Sequence, residues 1–194
     1  MVVVVDTCSL HRLVEYYLPL DKKGVLVPLF KSLFEGRQIL MTEFVYEECQ
    51  RMAKGVIIKK LPFMSSAGFK KNLIKAEAIL PDQKLLRIVL DHFTIKAKYN
   101  SLKPEQQETQ KSAYLQSGDF SLMYCAYQKK KRLNTGLFPE DLKILTDESG
   151  TENGNSCFKK IPTCCAFLGV DTLNIKDYLE IITHGKIELI IAQE

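Results

Sequence analysis

Five acidic residues occupy positions where an unpaired charge is costly. Asp6 directly follows four valines, Val2–Val5. A β-branched run of this kind suits a strand buried on both faces of a parallel sheet, and a charge at its end must be paired, used as a cap or bound to a metal. Asp147 and Glu148 follow a second apolar run, Leu142–Leu145, with Thr146 between. Asp119 opens an apolar-patterned segment after Ser117-Gly118. Glu48 falls in a segment whose spacing predicts a helix over Glu43–Met52. At about 100° per residue, Val45, Cys49, Met52 and Ala53 form its apolar side. Glu48 lies at the edge of that side, flanked by Phe44 and Met52. Glu47 lies opposite, where it can pair with Arg51 one turn on, and Glu43 sits in the first turn, where the helix dipole favours an acid.

Four of these acids also have an ordinary reading: Asp6 and Asp119 as helix caps, Asp147 and Glu148 as a solvated turn. Convergence argues for chemistry instead. In a parallel α/β sheet the strand C-terminal ends share one edge, where active sites sit, and both Asp6 and Asp147 are expected to project from it. Two carboxylates about 4 Å apart repel by roughly 4 kcal/mol at an effective dielectric of 20, so a cluster needs a divalent cation or raised pKa values. Oxygen-only ligands suit Mg²⁺ and Mn²⁺. The chemistry expected is metal-assisted hydrolysis, with Asp6, Asp119 and the last acid holding metal and Glu48 holding a second ion or orienting water.

Other chemistries fit less well. His11, His92 and His184 are each remote in sequence from a paired acid and nucleophile, and there is no Gly-rich phosphate loop of the Walker type. A phosphatase with Asp6 as nucleophile would need an acid two residues on, where Cys8 stands. A zinc site from Cys157, Cys164, Cys165 and His184 is disfavoured because adjacent cysteines make poor tetrahedral ligands. Buried free thiols are expected.

Several elements must position these acids. Strands are expected at Val2–Val5, Gln38–Met41, Leu142–Leu145 and Val170–Ile175, with a last edge strand at Ile187–Ala192. Helices are expected at Ser9–Tyr17, Val25–Glu35 (closed by Gly36), Glu43–Met52 (capped by Thr42), Asp119–Arg132, Ile161–Leu168 (stopped by Gly169) and Asp177–Ile182. Residues 55–115 are lysine-rich and mostly helical in pattern, with helices over Ala67–Leu80 and Gln83–Lys98 separated by Pro81, and a polar, partly looped Lys103–Gln116. Ser149–Ser156 is rich in turn formers and reads as a loop. Alternating strands and helices predict an α/β/α sandwich around a mainly parallel sheet, as one domain over residues 1–194.

The chain has 194 residues, 46% apolar and 26% charged, with a net charge of +4 and six cysteines that show no C-x-x-C spacing. This is the composition of a globular protein whose core needs no disulfides. No apolar run approaches the roughly 20 residues that span a bilayer. The stretch before Asp6 is too short for a signal-peptide core and lacks a basic leader, so a cytoplasmic protein without a membrane partner is expected. The basic doublets and runs Lys22–Lys23, Lys59–Lys60, Lys70–Lys71, Lys129–Arg132 and Lys159–Lys160 read as solvated faces that together could contact phosphates.

In order, V-V-V-V-D-T-C-S-L, V-Y-E-E-C, G-D-F-S-L-M-Y-C-A and I-L-T-D-E resemble the motifs of the PIN-domain nucleases. The V-x-x-E-C frame places that family's Glu on Glu48, and G-D-x-x-L-x-x-x-A places the next acid on Asp119. The family's T-x-D corresponds here to T-x-E, ending on Glu148. The tail K-K-I-P-T-C-C-A-F-L-G-V-D-T-L-N-I resembles a branch of prokaryotic PIN-like proteins with T-x-E, which favours Glu148 and leaves Asp147 open. The resemblance covers both ends of the chain and omits residues 55–115. It implies a Mg²⁺- or Mn²⁺-dependent endoribonuclease acting on single-stranded or structured RNA. Many such proteins are toxins of toxin–antitoxin pairs, which leaves room for a small antitoxin partner and for a homodimer. The alternative is a PIN-like module that binds RNA or protein without cutting.

Overall fold

The computed structural model describes residues 1–133, 142–150 and 156–186, with the backbone alone described over 129–133. Among the described residues, strand β1 (Val2–Val5) lies inside a four-stranded parallel sheet of order β2-β1-β3-β4, with β2 at Ile39–Leu40, β3 at Leu142–Leu145 and β4 at Thr172–Leu173. The register sets Val3 beside Ile39 on one side, and Val3 beside Lys143 and Val5 beside Leu145 on the other. Val3, Val4 and Val5 are each at most 1% exposed, as a central strand covered on both faces requires.

Helices α1 (Thr7–Arg12) and α2 (Leu26–Glu35) connect β1 to β2. From β2 the chain runs through α3 (Glu43–Arg51), α4 (Val56–Lys60), α5 (Ala67–Lys71), α6 (Gln83–Ile88), α7 (Lys96–Asn100), α8 (Pro104–Leu115) and α9 (Gly118–Leu133) to β3. Helix α10 (Ile161–Leu168) leads to β4 and α11 (Ile175–Ile182) follows it. The chain steps one way from β1 to β2 and back over β1 to β3, so right-handed crossovers put the two connections on opposite faces. Contacts agree: the Phe30 and Tyr178 rings join α2 to α11 at 6.5 Å, and Cys165 Sγ meets Met123 Sδ between α10 and α9 at 3.9 Å. The fold is α/β with a parallel sheet, compatible with the expected layering.

Several elements differ from expectation. The helix after Asp6 is α-helical only to Arg12, then widens into a π turn over Leu13–Tyr17. The strands at residues 38–41 and 170–175 shorten to two residues each, and α11 begins at Ile175. The expected helix over Ala67–Leu80 stops at Lys71, because Ile74 pairs at the sheet edge: its N–H donates to Met41 O and its C=O accepts from Glu43 N, both at 2.9 Å. The helix over Gln83–Lys98 widens into a π turn at Val89–Phe93 and breaks at Thr94, which bridges to Phe158. Lys103–Gln116 is the reverse case, a twelve-residue helix with Pro104 in its first turn. The expected strand at Ile187–Ala192 lies outside the described residues, as do residues 151–155 of the Ser149–Ser156 loop and the Lys129–Arg132 side chains. Among the described residues no helix is long and apolar enough to cross a membrane.

Candidate functional site

Asp6 ends β1 and is 5% exposed. Its Oδ1 accepts from Thr7 N at 2.7 Å, so it does cap α1, while Oδ2 accepts from Cys8 Sγ at 2.7 Å and Thr146 Oγ1 at 2.8 Å. Burial nevertheless raises its pKa above the usual carboxylate value, against the pull of these donors, and the neighbouring Glu148 charge adds to the rise. Burial, followed by the Asp6 charge, pushes the Cys8 thiol up to about 12, so it remains a protonated donor at neutral pH.

Glu48 reaches the same edge from α3, while Glu47 is exposed, as the helical wheel requires. Thr42 caps α3 through Val45 N at 3.3 Å, and its hydroxyl meets Ser121 Oγ at 2.7 Å, fixing α3 against α9. Glu48 Oε1 accepts from Gly118 N at 2.9 Å and Oε2 from Thr7 Oγ1 at 2.9 Å. A Cβ on Gly118 would lie 2.6 Å from Glu48 Oε2, so the contact needs glycine. Glu43 is occupied elsewhere, by Lys75 Nζ and Ala76 N at 3.1 Å each.

Asp119 stands one residue into α9, but it does not cap the helix. Ser117 does, accepting from Phe120 N at 3.1 Å. Among the described residues the Asp119 carboxylate accepts no hydrogen bond. Its pKa is pushed up to about 7, first by burial and then by the charges of Asp6, Glu148 and Glu48.

The two acids after β3 separate. Asp147 turns toward α1 and α11: Oδ2 accepts from Ser9 Oγ at 2.6 Å and Ile175 N at 3.0 Å, and Oδ1 lies 3.5 Å from Arg12. Glu148 turns toward α10, with Oε2 accepting from Ile161 N at 2.8 Å and Oε1 paired with Lys160 Nζ. Thr146 spans the two strand ends, donating to Asp6 and accepting from Glu148 N at 3.2 Å.

Asp6, Glu48, Asp119 and Glu148 therefore share one region, and Asp147 faces away from it. As placed, with Glu48 and Glu148 committed to the donors above, the described residues include no group of three acidic, His or Cys side chains ready to hold one ion. The residues that sequence reasoning missed are the donors Thr7, Cys8, Ser9, Thr146 and Lys160. Of these, Lys160 carried a readable sign, since it directly precedes a Pro-containing helix start, where a carboxylate is favoured. Cys157, Cys164 and Cys165 are buried free thiols and His184 is exposed. His11 pairs with Glu15 at 3.1 Å, and His92 stacks on Phe167 at 4.1 Å between ring centroids. A cleft of about 660 Å³ adjoins the site, lined by Arg12, Tyr16, Tyr17 and Lys176 as well as the Thr146–Glu148 edge.

Comparison with protein-family models, with curated proteins and with solved structures finds no match to this chain.

Proposed function

We propose that this chain is a PIN-like, Mg²⁺- or Mn²⁺-dependent endoribonuclease of the cytoplasm, cutting phosphodiester bonds at the Asp6–Glu48–Asp119–Glu148 cluster. The observation that carries the reading is Asp119: a partly buried carboxylate that accepts no hydrogen bond from the described residues, its pKa raised to about 7 by burial and by three neighbouring acids. A protein that needed Asp119 only as a helix cap would use it as one, and Ser117 already fills that role.

The donor set fits a hard divalent cation. All four acids offer oxygen, and their mutual repulsion is the cost that such a cation removes. Asp6, Asp119 and Glu148 would hold the metal, with Glu48 holding a second ion or orienting water. When bound, the metal would polarise the phosphate and supply hydroxide at neutral pH. The chain's own groups do the positioning. Thr7 and the Gly118 amide fix both oxygens of Glu48, and Cys8 and Thr146 fix Asp6 Oδ2. Asp119, poised near neutrality, can release its proton to solvent as a cation arrives. Asp147 braces α1 and α11 against the site from behind.

The test is cleavage of labelled single-stranded RNA. Activity is expected with Mg²⁺ or Mn²⁺, abolished by EDTA and by Asp6→Asn or Asp119→Asn. Cleavage by both variants at the wild-type rate, free of host ribonuclease, overturns the proposal.

One observation favours the second reading, a module that binds RNA or a partner protein without cutting: Lys160 already neutralises Glu148. RNA binding with no metal-dependent cleavage would select it. Toxin function with a small antitoxin, and a homodimer, belong to the first reading, and a folded complex with the product of an adjacent small gene would test the former.

A further inference from the structure

Lys160 is the residue that the catalytic reading leaves without a role. Its ammonium is paired with Glu148 Oε1, while the other oxygen, Oε2, accepts from the backbone N–H of Ile161 at 2.8 Å. The two donors differ in kind. The Ile161 amide is fixed in the first turn of α10, at the positive end of the helix dipole. The Lys160 ammonium sits on a flexible four-carbon stem whose side chain is 32% exposed, so it can swing into water without unfolding anything. The Asp119 and Asp6 charges also act on it, both stabilising its protonated form, after the Glu148 hydrogen bond as the largest cause. The acidic cluster therefore carries its own cation, held at one oxygen.

We propose that Lys160 is a resident counter-cation that occupies Glu148 Oε1 in the metal-free protein and is displaced from it when a divalent ion binds, while the Ile161 amide keeps Oε2. This deepens the nuclease reading and rests on it, since it takes Glu148 as part of the metal-holding set. A doubly charged ion outcompetes a single ammonium for a carboxylate flanked by two further acids, and releasing the lysine breaks no backbone contact. Lys160 thus sets the metal affinity of the site as a positioning residue.

The experiment measures Mn²⁺ binding alone, by titration calorimetry on metal-free full-length protein. Lys160→Met should tighten the Mn²⁺ Kd by about tenfold or more, the scale of a hydrogen bond to a charged group. Lys159→Met removes the same net charge next door and should change it by less than about fivefold, the scale of exposed pairs. A second measurement uses the unmodified protein: trace acetylation read by mass spectrometry should label Lys160 faster with saturating Mn²⁺ than without it, and Lys159 equally in both. Wild-type protein that binds Mn²⁺, with Lys160→Met binding equally or more weakly, or with Lys160 labelling unmoved by metal, overturns this inference and leaves the nuclease reading standing. No Mn²⁺ binding by wild type or variant overturns both.

Discussion

The Thr146 hydroxyl donates to Asp6 Oδ2 at 2.8 Å, across the ends of two neighbouring parallel strands, and accepts in turn from Glu148 N. One side chain, 4% exposed, thus ties the first acid to the last. Thr146→Val keeps the shape and removes both bonds. Leaving buried partners unsatisfied costs about 1–3 kcal/mol, which for a chain of this size lowers Tm by roughly 2–12 °C. Thr146→Ser should restore most of it. A Val variant that melts with the wild type would show that the hydroxyl does not hold the two ends together.

Asp119 and Asp6 both have folded pKa values raised above those of the unfolded chain. Such groups bind their protons more tightly when folded, so they favour the folded state most below the unfolded value of 3.8. That contribution is lost as pH rises through the folded value, about 7 for Asp119. Metal-free protein should therefore lose stability from about pH 4 to pH 7 on their account. Asp119→Asn should flatten that part of the profile, and saturating Mn²⁺ should do the same in the wild type. The readout is Tm against pH in EDTA and in Mn²⁺. An Asn profile parallel to the wild type rules out the raised carboxyl.

Asp147 and Glu148 should separate into stability and metal affinity. Asp147→Asn disturbs bonds to Ser9, Ile175 N and Arg12 around a side chain only 4% exposed. It should cost about 1–3 kcal/mol while leaving the Mn²⁺ requirement nearly unchanged. Glu148→Gln should raise the Mn²⁺ concentration needed for cleavage. The opposite assignment, read from a Mn²⁺ titration of both variants, would place Asp147 in the metal set instead.

Glu48→Gln can keep an acceptor for the Gly118 amide and a donor for the Thr7 hydroxyl, so its Tm should stay at or above the wild-type value while cleavage falls at least about tenfold. Gly118→Ala should mimic that loss by pushing the Glu48 carboxylate aside. Its stability should change little, because alanine favours a helix by about 1 kcal/mol over glycine and the displaced hydrogen bonds cost about as much. Glu47→Gln, on the exposed side of the helix, serves as the control. An active Gly118→Ala would mean that Glu48 can work from a displaced position.

The places of Asp6 and Glu48 were legible because local periodicity decides them, whereas periodicity left Asp147 and Glu148 undecided. The strand end fixed the place of Asp6, and the angle between adjacent helical residues separated Glu48 from Glu47. Much of what holds those acids was not legible, because several partners lie far off in sequence: Thr7 and Glu48 are 41 residues apart, Thr146 and Asp6 are 140. The same limit explains the broken helices. The apolar spacing around Ile74 suits a helix until the edge of β2 offers that residue backbone partners. The helix of Pro104–Leu115 failed to register because it buries chiefly Tyr114 and so shows no apolar stripe.

The contact between Gly118 and Glu48 also links the histories of two positions. While Glu48 keeps its carboxylate against the Gly118 amide, position 118 cannot accept a side chain without displacing it. A descendant lineage that traded Glu48 for a small residue would free position 118 to drift toward better helix formers. Loss of the acid would then leave a second trace at a residue that does no chemistry itself. A homologue with alanine or serine at the position of Gly118 would be marked as one that no longer holds its acid in this way, whatever stands at the position of Glu48.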